Sequence, residues 1–390
     1  MTGNKTMIKK ISPSRNGEID FWKFIFSIII VLHHSYNFMP EKSRYIFTHG
    51  SICVDFFLII SGFFMANSVF RISSDYHSDS IGTETIQFIF KKIKSFLYYY
   101  IFSSAIIFIT AIIKDGISEV LLTGKMFNLV FSAIFLNMSG LPFYDPINSS
   151  WYLSAMLLCM MIIYPVFRKN KNLFINVIAP LTAIFLYGYI MKTTNFVGAP
   201  THWYGYAFKG LIRAFAGLSL GCTAYNISEW LKNKNISKPV SVLLSVYETF
   251  SILGIILLLY ITAPTDTSAA LVFIFFTAFI IIASRKAFIN RIYQYNFFQF
   301  TGKLSMAMFL IHYAGTNIMS VLCENVLSFI ILPYSSSGRL KLTLIYISIV
   351  FILGFACVLI SDKIKHYLEK RKEKQIIKTS DKINSTSNAI

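Results

Sequence analysis

Charged side chains make up only 14% of this chain, where soluble globular proteins carry about a quarter. Hydrophobic residues reach 55%, which excludes a water-soluble fold. Acidic residues are the scarcest: 18 Asp and Glu stand against 36 Lys and Arg, giving a net charge of +18. That excess does not indicate nucleic acid as a partner, because the basic residues sit between apolar runs and form no patch interleaved with exposed aromatics. Cysteine is sparse too. Cys53, Cys159, Cys222, Cys323 and Cys357 fall within apolar stretches, with neither metal-ligand spacing nor a disulfide framework. They read as small buried hydrophobes, and no metal site is expected. There is no internal repeat, little proline inside the apolar runs beyond Pro180, and no small-residue cleavage site after Val31 that would make the basic start a signal peptide.

What the chain does contain is a series of apolar runs long enough to cross a hydrocarbon core about 30 Å thick. Ten spans are expected, at 21–40, 50–70, 93–113, 150–167, 173–191, 207–226, 243–263, 267–284, 303–323 and 340–361. A shorter stretch, 126–138, is re-entrant or interfacial, or else a further crossing that would invert the topology after it. The expected fold class is therefore all-α, a polytopic membrane helix bundle of about ten transmembrane helices. An even count puts both termini on one side. That side collects Lys5, Lys9, Lys10 and Arg15, then Arg71 and Lys91 to Lys94, Arg168 to Lys171, Lys232 to Lys238, Arg285 to Lys303, and the Lys-rich tail. The other side holds only Lys42, Arg44, Lys114, Lys125, Lys192, Arg339 and Lys341. By the positive-inside rule the termini are cytoplasmic. Residues 1–20 form a cytoplasmic N-terminal segment and 21–365 the transmembrane domain. The basic tail 366–390 is expected to be disordered or to lie on anionic headgroups.

An ionisable side chain inside a span costs at least about 2.5 kcal/mol on insertion scales, so each needs a partner or a task. Six stand out: Lys23, His34, Asp55, Lys209, Arg213 and His312. Lys23 and His34 are separated by about 20° more than three full turns and roughly 16 Å of rise, so they share a helix face. Lys23 then either guides an anionic ligand at the cytoplasmic mouth or snorkels to the headgroups. His34 lies in the outer half, where an imidazole is either a general base or a histidine satisfied by neighbouring helices. His33 points about 100° away. Asp55 starts the next span at the depth of His34; it either orients the imidazole, as the acid does in a hydrolase triad, or caps its own helix. Arg213 sits about 9 Å below the outer end of its span, to bind a carbonyl or a sugar or to pair with Asp55. His312 lies about 14 Å into its span, where it approaches His34 or serves as a core histidine. Trp151, with Tyr152, His202, Trp203 and Tyr204, either stacks on sugar or belongs to the interfacial aromatic belt.

The order of several motifs resembles the acyltransferase 3 family of membrane O-acyltransferases, over most of the chain. EIDFWKFIFSIIIVLHHS places Asp20, Lys23 and His34 in the family's opening pattern, and GSICVDFFLIISGFFMA supplies Asp55, Ser61 and Gly62. WYLSAMLLCMMIIYP, opening with Trp151, is similar to a family span. KGLIRAFAGLSLGC with Arg213 and Gly221, and TGKLSMAMFLIH with Gly302, Ser305 and His312, are similar to two more. The family often carries Arg where Lys23 stands, and an Arg cluster where this chain has KKIKS; Lys keeps the charge without the bidentate fork.

The resemblance implies an O-acetyltransferase of the bacterial cytoplasmic (inner) membrane. It would move an acetyl group from cytoplasmic acetyl-CoA, a substrate rather than a resident cofactor, to a hydroxyl of a cell-surface polysaccharide or its lipid-linked precursor. His34 and Asp55 would be catalytic. Lys23, Lys91, Lys92, Arg213, Ser61, His312 and Trp151 would bind substrate or donor. Partners would be acetyl-CoA, the glycan and the bilayer, with no nucleic acid and an oligomeric state left open. The rival from another class is a multi-pass transporter built on an intramembrane His/Asp/Arg site; it predicts repeats and paired broken helices, which the sequence lacks.

Overall fold

The computed structural model describes residues 15–39, 46–72, 80–117, 132–141, 150–194, 197–261, 268–327 and 335–387, with side chains as far as Arg371. The apolar runs form helices α1 (Gly17–His33), α2 (Cys53–Phe70), α3 (Ile81–Asp115), α4 (Ser150–Lys169) and α5 (Lys171–Thr194). They continue as α6 (Lys209–Lys232), α7 (Lys238–Ile261), α8 (Ser268–Ser284), α9 (Asn296–Leu322) and α10 (Ser336–Ser387). In α5, Phe174–Ile178 is a π turn. It precedes Pro180, which has no N–H to return to the carbonyl one turn back, so the ladder slips there.

Each expected span overlaps one of these helices, but their membrane-crossing character differs. Seven are long and apolar enough to cross a membrane, or eight if α8 and the 3-10 turn Phe288–Gln294, bent by 68°, are taken as one span. The exceptions are α1 and α6. The run read as 21–40 is an α-helix of 17 residues that gives way to a 3-10 turn, His34–Phe38. The other exception, α6, is diluted by Lys209, Arg213 and several small residues. Both are wrapped by protein: α1 packs chiefly on α9, and α6 chiefly on α2.

The α2–α6 contact is a close crossing of small residues, the usual way helices approach when lipid supplies no hydrophobic drive. A methyl group at Gly62 would collide with the Leu218 carbonyl, and one at Gly221 with the Ile59 carbonyl. Across α1–α9, Ser27 Oγ meets Ser305 Oγ at 2.8 Å and donates to the Lys23 carbonyl at 2.9 Å.

The described fold is consistent with the expected all-α membrane bundle, with one addition: an antiparallel two-residue ladder, Trp203–Tyr204 with Ala207–Phe208, precedes α6. Through the basic tail, expected to be disordered or to lie on anionic headgroups, α10 continues as helix to Ser387; extending an existing helix avoids the nucleation step. Most of 126–138 lies outside the described residues. Its described end is held inside the protein: Tyr100 donates to the Ser132 carbonyl at 2.8 Å and Ser154 to the Phe135 carbonyl at 2.7 Å.

Candidate active site

His34 stands at the carboxyl end of α1, where the chain tightens into the 3-10 turn. The ring is half-buried. Its Nδ1 lies 3.2 Å from the Tyr313 hydroxyl, and its ring centroid is 4.8 Å from those of both His312 and Tyr313. Adjacent His33 turns away, its Nδ1 2.8 Å from the Phe47 carbonyl. A carbonyl only accepts, so His33 carries its proton on Nδ1.

His312 is buried at 1% exposure, with Nδ1 2.6 Å from the Phe309 carbonyl. By the same reasoning Nδ1 bears the proton, and Nε2 is an acceptor that has no hydrogen-bond partner among the described residues. The two imidazoles thus face one another at the α1–α9 contact, and an unsatisfied ring nitrogen sits beside the half-buried one.

Asp55 has other partners. Its carboxylate accepts from Arg213 Nε at 3.2 Å to each oxygen, from Arg213 Nη2 at 2.6 Å, and from the Tyr187 hydroxyl at 2.7 Å. The expected Asp55–His34 hydrogen bond is not found among the described residues. Of the two readings of Arg213, pairing with Asp55 is the one the geometry displays. A carboxylate and a guanidinium buried together in apolar surroundings each satisfy the other's charge, which one imidazole would do less completely.

Arg213 also donates from Nη2 to the Ser51 carbonyl at 2.7 Å, and its guanidinium lies 5.6 Å from the centre of the Trp151 ring. Its Nη1 is buried with no hydrogen-bond partner among the described residues. Gly50 packs on the His33 side chain while the next carbonyl, Ser51, holds Arg213. That short segment joins the histidine cluster to the Asp55–Arg213 pair.

At the other end of α1, Arg15 hydrogen-bonds Asp20 through two nitrogens, and the Lys23 ammonium lies 3.6 Å from the same carboxylate. Gly302 makes room for this network: a methyl there would collide with the Asp20 carboxylate and crowd the Arg15 guanidinium. Lys92 is half-buried and close enough to Lys23 for the two charges to repel, whereas Lys91 and Lys94 are exposed. Ser61 lies 3.2 Å from the Tyr152 hydroxyl and so pairs with the neighbour of Trp151. Lys209 is buried, with Nζ 3.4 Å from the Thr194 hydroxyl and 5.5 Å from the Tyr204 ring centre.

Four groups escaped the sequence reading. Tyr313 and Tyr187 carry no charge to mark them. His49, buried and 3.1 Å from the Ser268 hydroxyl, lies just outside a span. Glu248 did carry a signal, a carboxylate inside the apolar run 243–263; it is buried against Glu18, whose other oxygen takes a 2.5 Å bond from Asn290.

Apolar helices enclosing such a set of titratable side chains define a multi-pass membrane protein with a polar interior site. The family model described as an acyltransferase domain matches residues 16–362. The chain therefore belongs to the acyltransferase 3 family, and it is a membrane acyltransferase. Neither a curated protein nor a solved structure matches the chain.

Proposed function

We propose that this acyltransferase moves an acetyl group from cytoplasmic acetyl-CoA to a sugar hydroxyl of a bacterial surface polysaccharide or its lipid-linked precursor, across the inner membrane. The observation that carries this reading is the placement of charge along α1: a basic group, Lys23 with Lys92, at one end and the half-buried His34 at the other, roughly 16 Å on. A thioester with an anionic nucleotide and a long neutral arm fits that separation. In the proposed topology α1 and α6 cross inside the protein, the remaining helices cross around them, and both termini face the cytoplasm. In support, Arg15 and Arg285 line one cavity, so the segments before α1 and after α8 share an end of the bundle, as the distribution of basic residues requires.

In this mechanism His34 takes the proton of the sugar hydroxyl as the oxygen bonds to the acetyl carbonyl carbon. The carbon–sulfur bond breaks, and the departing thiolate regains a proton from the imidazolium. Tyr313 holds His34 through Nδ1, leaving Nε2 to act as base. Arg213 donates from Nη1 to the developing oxyanion, with Asp55 and Tyr187 fixing the guanidinium. Trp151 gives the sugar an apolar face, and Ser61 and His312 shape the floor of the site. The test is His34→Ala, with membrane expression verified and acetyl content of surface glycan measured. Loss of acetylation is expected, and full acetylation would remove His34 from the chemistry. Rapid quench with labelled acetyl-CoA and no acceptor should leave the protein unlabelled; label on His34 would replace direct transfer with an acetyl-histidine route.

A further inference from the structure

Two adjoining hollows open beside the amino end of α1. One, of about 430 Å³, is lined by Arg15, Arg285, Asn290 and Gln294 among others. The second, of about 260 Å³, shares Arg285, Asn290 and Gln294 and adds Lys286 and Arg291. Among the described residues, no carboxylate lines either one. Glu18 is sealed beneath, where Asn290 donates to it. The amino end of α1 adds its own partial positive charge, since Gly17 lines the larger hollow.

Arg285 supplies an independent observation. Its φ is 58°, a left-handed conformation that glycine adopts freely and other residues only with strain. The position directly follows α8, where glycine is the usual occupant. An arginine held there against its backbone preference points to a use for the side chain.

We infer that these hollows bind the phosphate-bearing nucleoside end of the acyl donor. The inference rests on the proposed coenzyme A thioester. Arg285 and Arg291 take the phosphates, and the Gln294 amide serves the base. Arg15 hands the charge on to Asp20 and Lys23, so the site forms the mouth of a basic row that rises along α1. An anionic lipid headgroup shares the phosphate chemistry, and the experiment separates the two.

The probe is adenosine 3′,5′-bisphosphate, titrated calorimetrically into the purified full-length chain in neutral detergent. Binding that weakens with salt is expected, and Arg285→Gly should weaken it at least about tenfold. Because glycine relieves the φ strain, the variant should unfold at the wild-type temperature or above, which separates lost binding from lost fold. Equal affinity in Arg285→Gly overturns the site. Displacement of the nucleotide by phosphatidylglycerol, but not by phosphatidylcholine, overturns the nucleotide assignment in favour of lipid. If acetyl-CoA turns over with a KM unchanged in Arg285→Gly, this inference fails while the proposed function stands. If wild type never cleaves acetyl-CoA yet Arg285→Gly loses bisphosphate affinity, the donor reading fails and the site stands.

Discussion

Replacing Asp55 by asparagine separates the two tasks open to that carboxylate. Asp55 and Arg213 are both 0% exposed, and the carboxylate accepts three contacts from the guanidinium and one from Tyr187. Asparagine keeps the shape but removes the charge and turns an amide NH2 toward donors. Breaking one side of a buried pair costs about 3–5 kcal/mol, because the surviving charge is stranded. The asparagine carbonyl still accepts part of the guanidinium, so about 3 kcal/mol is expected. Adding Arg213→Gln removes the stranded charge, and the double variant should fall short of the summed single effects by about 1–3 kcal/mol. Cys53, Cys159, Cys222 and Cys357 are free and buried, so a thiol-reactive fluorophore in detergent reports unfolding directly. An Asp55→Asn protein that unfolds like wild type while losing acyl transfer would refute this reasoning, and would assign the carboxylate to His34. Strictly additive single variants would refute the coupling.

Tyr313→Phe removes the hydroxyl 3.2 Å from His34 and keeps the ring contacts; kcat/KM should fall about 5-fold to 10-fold with the fold intact, and an unchanged rate would detach Tyr313 from the base. Gly302→Ala drives a methyl into the Asp20–Arg15 contact, and a loss of about 1–3 kcal/mol is expected; wild-type thermal stability would show that α1 and α9 part without strain. Burial, then the His33 and Arg213 charges, push His49 down to about 4 from 6.5. The unfolded chain therefore takes up this proton first as pH falls, and stability declines from pH 6.5 toward 4, by about 2 kcal/mol at pH 5. His49→Gln should flatten that slope, and an unaltered pH profile would exclude His49 as its source.

The candidate site was legible in part because charge inside an apolar run is conspicuous. Lys23, His34, Asp55, Lys209, Arg213 and His312 all declared themselves that way, and five of the six lie in the clusters around His34, Asp55 and Asp20. Equal depth could not choose the partner of Asp55, since His34 and Arg213 both satisfied it. Nor could it separate Lys92 from Lys91 and Lys94, whose exposure depends on how α3 is rotated against its neighbours.

The sequence by itself determined that the chain lives in a membrane, where its apolar runs fall and, through the ordered motifs, the family. Those properties follow from composition and from one-dimensional spacing, to which the bilayer and the 3.6-residue helical repeat respond directly. The tertiary structure alone decided that α1 ends at His33, that Asp55 belongs to Arg213 and Tyr187, and that Tyr313 and His312 meet His34. Such pairings arise from the rotation and crossing of helices far apart in the chain, and no periodicity within a single helix encodes them.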